Sequence, residues 1–366
     1  MVENNFFSLN VRNNASGNLS LPGSKSISNR VILLAALGNN KVEIINYLQS
    51  EDTEVMLSVL NILGVRFQKK ISSEKYRGEK KQVPILTVNG IGGKFDTLLH
   101  KRERLNFFVG NSGLTIRTLL PVLVAIFSQK SNYLSAKIDG VDRMRQRPIG
   151  GLVDCLKKIG AKITYLKKNG YAPLIIHPSK IVPCNEIVID SSDSSQFLTG
   201  ILQAAPLLRK YWSSPLIVKA TGLISSRPYV DLTINILKKF EITVDETEKN
   251  VFKINSKRIV SPNKIIVEGD ASSASYFLAA GVLGGGPISI DGLGTNSIQG
   301  DIKLVHILKK MGAEIIFSEQ NIVVKSKQKL LGMRLDCGDI PDAAMVLVPC
   351  ALYADGPTLL TNIGSW

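Results

Sequence analysis

The amino-acid sequence predicts an α/β fold built from repeated units. An amphipathic helical pattern that ends in a polar turn and runs into a β-rich segment occurs four times. The turns lie at Gly64, Gly160, Glu241 and Gly312, so the repeat measures roughly seventy to a hundred residues, which is too long for a solenoid. The chain of 366 residues is also long enough for two domains of ordinary size.

The ends of the four helices carry the repeat signal. Three copies share Leu-Lys-Lys before the turn, and lysines in a last helical turn complement the negative end of the helix dipole. Glycine after the helix supplies a left-handed cap, so we expect a different cap at Glu241. Helix–glycine–strand junctions are common in any α/β protein, but the shared Leu-Lys-Lys favours a true repeat. The polar stretch Gln68–Gln82 predicts an exposed hairpin or insertion.

The composition is that of a folded globular protein with many basic groups. Hydrophobic residues make up 44% of the chain, charged residues make up 20%, and the formal net charge is +15. Such a charge suits a nucleic-acid partner, a small acidic substrate, or a basic surface that only serves solubility. The lysines are dispersed, and helix-turn-helix, zinc-finger and RNA-binding aromatic signatures are absent from the sequence, which argues against nucleic acid.

The cysteines and the apolar segments bear on the compartment. The four cysteines are scattered and far in sequence from the three histidines, so no zinc site is predicted. Free cysteines in a chain of this size fit a reducing compartment, and we expect the cytoplasm. Apolar stretches such as Ala343–Ala354 are too short to span a bilayer, and the N-terminus lacks the pattern of a secretory signal.

A cationic helix start occupies Leu21–Arg30, which reads Leu-Pro-Gly-Ser-Lys-Ser-Ile-Ser-Asn-Arg. Either Ser24 or Ser26 can cap a helix whose first turn offers free backbone N–H groups. Lys25 and Arg30 add two cations, so the segment predicts a site for a carboxylate or a phosphate. The spacing of a Walker A loop is absent, and a solvated basic helix start is the alternative.

Two more segments place glycine or arginine at helix starts. In Phe108–Arg117, Gly110 and Gly113 allow the backbone to approach a ligand closely. Asp142–Gly150 holds three arginines within five residues, before a helix that we expect to open at Pro148. Arginine forks suit phosphate and carboxylate oxygens, and we expect at least one of the three to pair only with a surface acid.

Hydroxyl groups mark a further set of helix starts. Asp190–Phe197 reads Asp-Ser-Ser-Asp-Ser-Ser-Gln-Phe, and consecutive hydroxyls beside backbone N–H groups form a neutral nest for an anion. The related segment Gly269–Phe277 supports internal duplication, although helix capping is the better interpretation there. Ser225–Asp231 again combines hydroxyls with a cation at a helix start.

Asp342 differs from these groups because it is a carboxylate, whereas the other candidate groups are mainly cations and hydroxyls. It precedes an apolar helix in Ile340-Pro-Asp-Ala-Ala-Met345, and it is a candidate general base. The alternative is an ordinary acid that caps the helix. Together, the five cationic or hydroxyl-rich helix starts predict a cleft in which helices point their positive ends at anionic ligands.

These segments, with Val267–Asp270 and Gly300–Ile302, resemble the family of 5-enolpyruvylshikimate-3-phosphate (EPSP) synthases, or 3-phosphoshikimate 1-carboxyvinyltransferases, over Leu21–Trp366. The resemblance implies an enolpyruvyl transferase-like α/β fold of two similar lobes. Residues 24–265 would form the first lobe, and residues 1–23 with 266–366 would form the second. It also implies transfer of the enolpyruvyl group of phosphoenolpyruvate to shikimate 3-phosphate, on the route to chorismate and aromatic amino acids, without metal or cofactor.

The resemblance implies roles at matching positions. Lys25 and Asp342 are the implied catalytic residues, with Lys25 between both substrates and Asp342 taking the proton of the 5-hydroxyl. The residues implied to bind shikimate 3-phosphate are Lys25, Ser26, Arg30, Ser194, Ser195, Gln196, Ser226, Tyr229 and Asp342. The residues implied to bind phosphoenolpyruvate are Lys25, Gly113, Arg143 and Gln196.

The end of the sequence departs from the family pattern. After Trp366 the family continues with an Arg-x-Lys-Glu-Thr-Asp-Arg motif and more of the second lobe, including a catalytic Lys-Glu pair. We therefore expect the second lobe to be incomplete. The alternative to an active enzyme is an inactive remnant that binds shikimate 3-phosphate, or one half of a split enzyme. We expect only small-molecule partners, without nucleic acid or membrane, and a monomer if the protein is complete.

Overall fold

The computed structural model describes residues 14–73, 75–76, 79–80, 82–93, 104–127, 135–325 and 328–364. The strands within them are β1 (Ala15–Ser20), β2 (Lys41–Ile45), β3 (Arg66–Ser72), β4 (Lys75–Tyr76), β5 (Glu79–Lys80), β6 (Val83–Asn89), β7 (Arg104–Phe108), β8 (Ser135–Asp139), β9 (Lys162–Tyr165), β10 (Leu174–His177), β11 (Ile187–Asp190), β12 (Leu216–Thr221), β13 (Val244–Glu248), β14 (Val251–Ile254), β15 (Lys264–Ile266), β16 (Gly285–Asp291), β17 (Glu314–Phe317), β18 (Asn321–Lys325), β19 (Arg334–Asp336) and β20 (Leu359–Thr361). The α-helices are α1 (Lys25–Leu37), α2 (Glu51–Ile62), α3 (Gly113–Phe127), α4 (Gly150–Lys158), α5 (Ser195–Leu208), α6 (Pro228–Lys239), α7 (Ala271–Leu283), α8 (Leu304–Lys310) and α9 (Leu347–Leu352).

The chain divides into two compact units. Pro22–Glu268 forms the larger unit, and Gly269–Gly364 forms the smaller unit together with the segment that contains β1. The chain therefore enters the larger unit after Leu21 and leaves it after Glu268.

One four-stranded sheet topology occurs four times. In the larger unit the strand orders are β15-β2-β6-β3, β7-β8-β10-β9 and β11-β12-β14-β13, and in the smaller unit the order is β1-β16-β18-β17. In every copy the first pair of neighbours is parallel and the other two pairs are antiparallel. A helix precedes the second strand of each sheet, as a parallel crossover requires. The predicted α/β repeat is confirmed.

Two of the four sheets exchange their first strands. β1 is followed in the chain by α1, which leads into β2, whereas β15 is followed by α7, which leads into β16. In space β1 pairs with β16 and β15 pairs with β2. In each unit, one sheet is therefore completed by a strand that is far in sequence from the other strands of that sheet.

The four repeated turns share one helix cap. Gly64, Gly160, Glu241 and Gly312 all have positive φ, between 56° at Glu241 and 103° at Gly312. In each copy the turn residue donates its N–H to the carbonyl three residues back, and the next residue donates to the carbonyl of the residue before that acceptor. The prediction of a different cap at Glu241 is wrong, because a non-glycine residue adopts the left-handed conformation when the surrounding fold imposes it.

The helices divide into buried and half-buried ones. α1, α3 and α5 are buried on nearly every side and form the interior of the larger unit, whereas α2, α4 and α6 present only one face to it. A further core in the smaller unit packs α7, α8 and α9 on β16 and β18. None of the described helices combines the length and the apolar character needed to cross a bilayer.

Candidate active site

The buried helices of the larger unit reach its surface only at their first turns. In α1 every residue is buried except Lys25 and Ser26, in α3 every residue except Leu114, and in α5 every residue except Gln196. All four exceptions lie within two residues of the start of the helix. The exposed parts of these helices therefore carry N-terminal backbone N–H groups that have no partner within the helix ladder, and the positive ends of the helix dipoles.

Side-chain hydrogen bonds link these helices near their N-terminal ends. Arg30 of α1 donates from Nε to Thr233 Oγ1 of α6 at 2.8 Å, and Thr233 Oγ1 lies 3.2 Å from Thr199 Oγ1 of α5. Arg117 of α3 donates from Nη1 to Gln196 Oε1 of α5 at 2.8 Å. Since each of these residues lies in the first two turns of its helix, the starts of all four helices gather at one end of the larger unit. Their dipoles and cations together favour anionic ligands.

Arg30 is a buried cation within this group. It is 2% exposed, its Nη1 donates to the carbonyl oxygen of Ser26 at 2.9 Å, and its guanidinium lies 5.8 Å from the centroid of the Tyr229 ring. Burial lowers the pKa of Arg30 to about 10, against a smaller opposite effect from Tyr229. The group stays a cation at neutral pH, and its Nε proton is committed to Thr233.

Arg117 is a second buried cation, which the sequence did not single out. Its Nη2 donates to the carbonyl oxygen of Pro148 at 2.8 Å, in addition to the bond from Nη1 to Gln196. Burial, followed by repulsion from Arg147, lowers its pKa to about 10. The sequence does indicate this residue, because Arg117 lies four residues after Gly113 and therefore on the same face of α3.

Gly113, at the start of α3, lies against Arg147. A Cβ atom added to Gly113 would come within 2.3–2.6 Å of three atoms of the Arg147 guanidinium. Arg147 Nη1 donates to the carbonyl oxygen of Asn111 at 3.0 Å, which holds the guanidinium over the turn before the helix. The absence of a side chain at Gly113 is therefore what allows this cation to approach the helix start.

The three clustered arginines have different surroundings. Arg145 makes two bonds to the carboxylate of Asp139, at 2.9 and 3.1 Å, and one to Asp142 at 2.9 Å. This confirms that at least one of them pairs with an acid. Burial favours the neutral form of Asp139, but the hydrogen bonds from Arg145 and from Gly140 outweigh it and hold the pKa of Asp139 below its usual value. Arg143 is exposed, and its Nη1 lies 3.3 Å from Gln146 Oε1.

Two of the predicted helix starts differ in detail. α4 begins at Gly150 rather than at Pro148, whose carbonyl oxygen instead accepts the bond from Arg117. Ser24 occupies the N-cap position of α1, but its side chain makes no capping bond. Among the described residues, its buried Oγ has no hydrogen-bond partner, and the same holds for Ser191 Oγ before α5.

The remaining predicted residues of the larger unit also lie at helix starts. Lys25 is exposed, with Nζ 3.8 Å from a carboxylate oxygen of Asp52. Ser194 is the N-cap of α5 and accepts from the N–H of Gln196 at 3.2 Å, and Ser195 is buried at the first position of that helix. Ser226 has a φ of 53° and lies two residues before α6 begins.

The larger unit thus brings most of the predicted site residues to the same group of helix starts. They are Lys25, Ser26, Arg30, Gly113, Ser194, Ser195, Gln196, Ser226 and Tyr229. Arg143 lies on the turn before α4, and Asp342 belongs to the smaller unit. The described part of the chain holds no group of three or more His, Cys, Asp or Glu residues placed to bind a metal ion.

Asp342 is exposed and lies close to a buried carboxylate within the smaller unit. Asp301, which is 5% exposed, accepts from Ser272 Oγ at 2.6 Å and from the backbone N–H groups of Asp342 and Ala343, each at 3.3 Å. Burial raises the pKa of Asp301 to about 6, with a further contribution from the charge of Asp342.

The serine-rich segment Gly269–Phe277 forms a helix cap. Asp270 caps α7 by accepting from the N–H of Ser273, which confirms the interpretation of this segment as a cap.

A cavity of about 730 Å³ lies at the other ends of α1 and α5. Its lining includes Leu37 and Leu207, together with the cations Lys210, Lys257 and Arg258. Helix C-terminal ends carry negative dipole charge, which these cations complement. The N-terminal backbone N–H groups of α1 and α5 lie at the opposite ends of these helices, where the candidate site is.

Comparison with known proteins agrees with this geometry. The family model described as EPSP synthase (3-phosphoshikimate 1-carboxyvinyltransferase) matches residues 9–366. The chain belongs to the EPSP synthase family. The 3-phosphoshikimate 1-carboxyvinyltransferase of Ralstonia nicotianae is 42% identical over 357 residues, which cover 96% of this chain and 77% of the relative. The enzyme of the same name from Paraburkholderia phymatum is 44% identical with the same coverage.

Solved structures agree with the EPSP synthase fold. EPSP synthase from Acinetobacter baumannii superposes with a TM-score of 0.71 at 23% identity, over 95% of this chain and 74% of that one. The enolpyruvyl transferase NikO from Streptomyces tendae superposes with a TM-score of 0.64 at 16% identity, over 95% of this chain and 75% of that one. The predicted enolpyruvyl transferase-like α/β fold is confirmed.

Proposed function

We propose that this chain transfers the enolpyruvyl group of phosphoenolpyruvate to the 5-hydroxyl of shikimate 3-phosphate and releases phosphate. The observation that carries the proposal is its membership in the EPSP synthase family at 42–44% identity to the two named relatives. The gathered helix starts support it, because both substrates carry a phosphate and a carboxylate that free N–H groups and buried guanidinium groups would stabilise.

Shikimate 3-phosphate would bind at the starts of α1, α5 and α6. Ser194 and Ser195, at the N-terminus of α5, and Ser226, before α6, would hold its phosphate through hydroxyl and backbone N–H groups. Arg30 and Ser26 would bind the side of the carboxylate. Tyr229 lies beside Arg30 and would contact the same part of the substrate.

Phosphoenolpyruvate would bind beside it, near the start of α3. The backbone of Gly113 and the side chain of Arg143 would face this substrate, and Gln196 would contact both substrates. Arg117 fixes the amide of Gln196 from within the protein, so that its orientation is set before either substrate arrives. Preorganised groups of this kind lower the cost of placing two anions side by side.

The reaction needs one proton added and another removed. The oxygen of the 5-hydroxyl bonds to C2 of phosphoenolpyruvate while C3 gains a proton, which gives a tetrahedral intermediate. Loss of phosphate from C2 and of a proton from C3 then restores the double bond. Asp342 would accept the proton of the 5-hydroxyl as a general base, and Lys25 would direct a proton at the reacting centre.

The same proposal covers the organisation and the location of the protein. We propose that the larger unit corresponds to the lobe that binds shikimate 3-phosphate and that the smaller unit corresponds to the second lobe. We expect the protein to act in the cytoplasm on small-molecule substrates, and as a monomer if it is complete.

Phosphate release by the purified 366-residue chain tests the activity. Release from phosphoenolpyruvate that depends on shikimate 3-phosphate, with the enolpyruvyl ether detected by mass spectrometry, would support the proposal. Binding of shikimate 3-phosphate in a calorimeter without any release would reduce the function to binding alone.

Two lysine variants make the test specific. Lys25→Ala should lower kcat by about 100-fold or more, the usual range for a group that handles a proton. Lys41→Ala removes an exposed lysine from β2 and should leave kcat unchanged. Equal activity of the two variants would contradict the role of Lys25.

A further inference from the structure

Asp301 is a buried carboxylate outside the set of residues proposed to bind either substrate. It lies on the 3-10 turn Gly300–Lys303 before α8, and its side chain is directed into the protein toward α7 and the Asp342 turn. A buried carboxylate without a cation costs free energy unless hydrogen bonds replace its water. The nearest basic residue in sequence, Lys303, instead pairs with Asp339 at 2.6 Å. Neutral donors therefore hold the Asp301 side chain.

Those donors belong to two different segments. Oδ2 accepts from the hydroxyl of Ser272 in the first turn of α7 at 2.6 Å. Oδ1 accepts from the N–H of Asp342 and from the N–H of Ala343, each at 3.3 Å. The Asp301 carboxylate therefore connects the start of α7 with the two backbone amides that flank the α-carbon of Asp342.

Neighbouring contacts hold the same turn in place. Gln299 donates to the carbonyl oxygen of Gly269 at 2.7 Å and accepts from the N–H of Ala271 at 3.1 Å. The ion pair between Lys303 and Asp339 attaches its other end to the loop before Asp342. The turn that carries Asp301 is thus tied to α7 and to the Asp342 loop at several points.

We propose that Asp301 is a positioning residue that fixes the backbone of Asp342 and thereby aims its exposed carboxylate at the substrate hydroxyl. Both backbone amides that flank the Asp342 α-carbon are thus bound to the Asp301 carboxylate. The catalytic part of this inference rests on the proposed function, whereas the fixing of the backbone does not. Small displacements of a base cost much of the rate, by about 100-fold for 1 Å.

Amide exchange tests the backbone part without any assay of activity. Hydrogen–deuterium exchange of peptides that contain Asp342 and Ala343 is compared in the full chain and in three variants. Asp301→Ala should speed exchange there by about tenfold or more, because it removes the acceptor. Asp301→Asn keeps a carbonyl acceptor and should stay within about threefold of the wild type. Asp339→Asn, which breaks only the Lys303 pair, is the matched control and should leave these amides protected.

Kinetics tests the catalytic part. Asp301→Ala should lower kcat by about 10- to 100-fold with both KM values within about twofold, and Asp301→Asn should restore most of kcat. Unchanged exchange at residues 342 and 343 in Asp301→Ala would overturn the proposal, as would a loss that appears in KM rather than kcat. If the wild-type chain releases no phosphate, the proposed function fails, and the exchange experiment alone decides whether Asp301 fixes this backbone.

Discussion

Replacing Thr233 with valine isolates the network that holds Arg30. The Thr233 hydroxyl is fully buried, accepts from Arg30 Nε at 2.8 Å and donates to the carbonyl oxygen of Tyr229 at 2.7 Å. It also lies 3.2 Å from the hydroxyl of Thr199. Valine has nearly the same shape but no hydroxyl, so a buried guanidinium N–H loses its acceptor without a change in packing volume.

The expected loss follows from the number and the kind of the bonds. A hydrogen bond to a charged group contributes about 1.5–3 kcal/mol, so we expect Thr233→Val to lower the free energy of unfolding by about 2 kcal/mol. The larger unit has a size at which 1 kcal/mol corresponds to about 2–4 °C, which gives a decrease in Tm of about 4–8 °C. A misdirected Arg30 should also weaken the binding of shikimate 3-phosphate by about tenfold, equivalent to about 1.4 kcal/mol.

Calorimetry measures both quantities. Scanning calorimetry gives Tm, and titration with shikimate 3-phosphate gives Kd. Thr199→Val is the matched control, since Thr199 is also fully buried and contacts the Thr233 hydroxyl but makes no bond to Arg30. We expect it to cost about 1 kcal/mol and to leave Kd unchanged. Equal effects of the two variants on Tm and Kd would refute the idea that Thr233 acts through Arg30.

Three more substitutions test separate contacts. Gly113→Ala places a Cβ against the Arg147 guanidinium, so the KM for phosphoenolpyruvate should rise about tenfold while calorimetry shows an unchanged affinity for shikimate 3-phosphate. An unchanged KM would count against the close approach of Arg147 to Gly113. Because the pKa of Asp139 is lowered from 3.8, its pairing with Arg145 stabilises the protein above that pH and is lost below it. The difference in Tm between the wild type and Asp139→Asn should therefore shrink in thermal scans below pH 4, and a constant difference would exclude the pairing. The pKa of Asp301 is raised from 3.8 to about 6, so its stabilising contribution is complete below pH 3.8 and lost as the pH rises through 6. The Tm of Asp301→Asn should therefore rise relative to that of the wild type between pH 4 and 7, and Tm values that change in parallel with pH would be inconsistent with the shift.

The repeat could be predicted from the sequence because its signal is local. A helix end, a left-handed turn and a strand start occupy fewer than ten consecutive residues, and three copies use glycine at the turn. The cap at Glu241 could not be predicted, because the backbone conformation there is imposed by the surrounding fold rather than by the residue type. Gln68–Gln82 contains the expected hairpin of β4 and β5, but Gln68–Ser72 continues the regular strand β3, whose polar side chains reflect its place at the edge of a sheet.

The helix starts of the site could be predicted for the same reason, whereas the residues that support them could not. Ser194, Ser195 and Lys25 are recognisable from the few residues around them. The partner of Arg30 is Thr233, 203 residues away, and a buried threonine in a helix has no distinguishing local pattern. The role of Asp301 likewise depends on the fold, which places its carboxylate against the amides of Asp342 and Ala343.

The exchange of β1 and β15 has a consequence for synthesis on the ribosome. β1 leaves the exit tunnel long before β16, the strand with which it pairs, so its backbone edge stays unpaired while the whole larger unit is made. The larger unit can close its own sheet as soon as β15 emerges, before β16 and the strands that follow it have been made. Folding should therefore begin in the larger unit, and a chaperone that shields β1 until β16 is made would protect the stage at which that edge is unpaired.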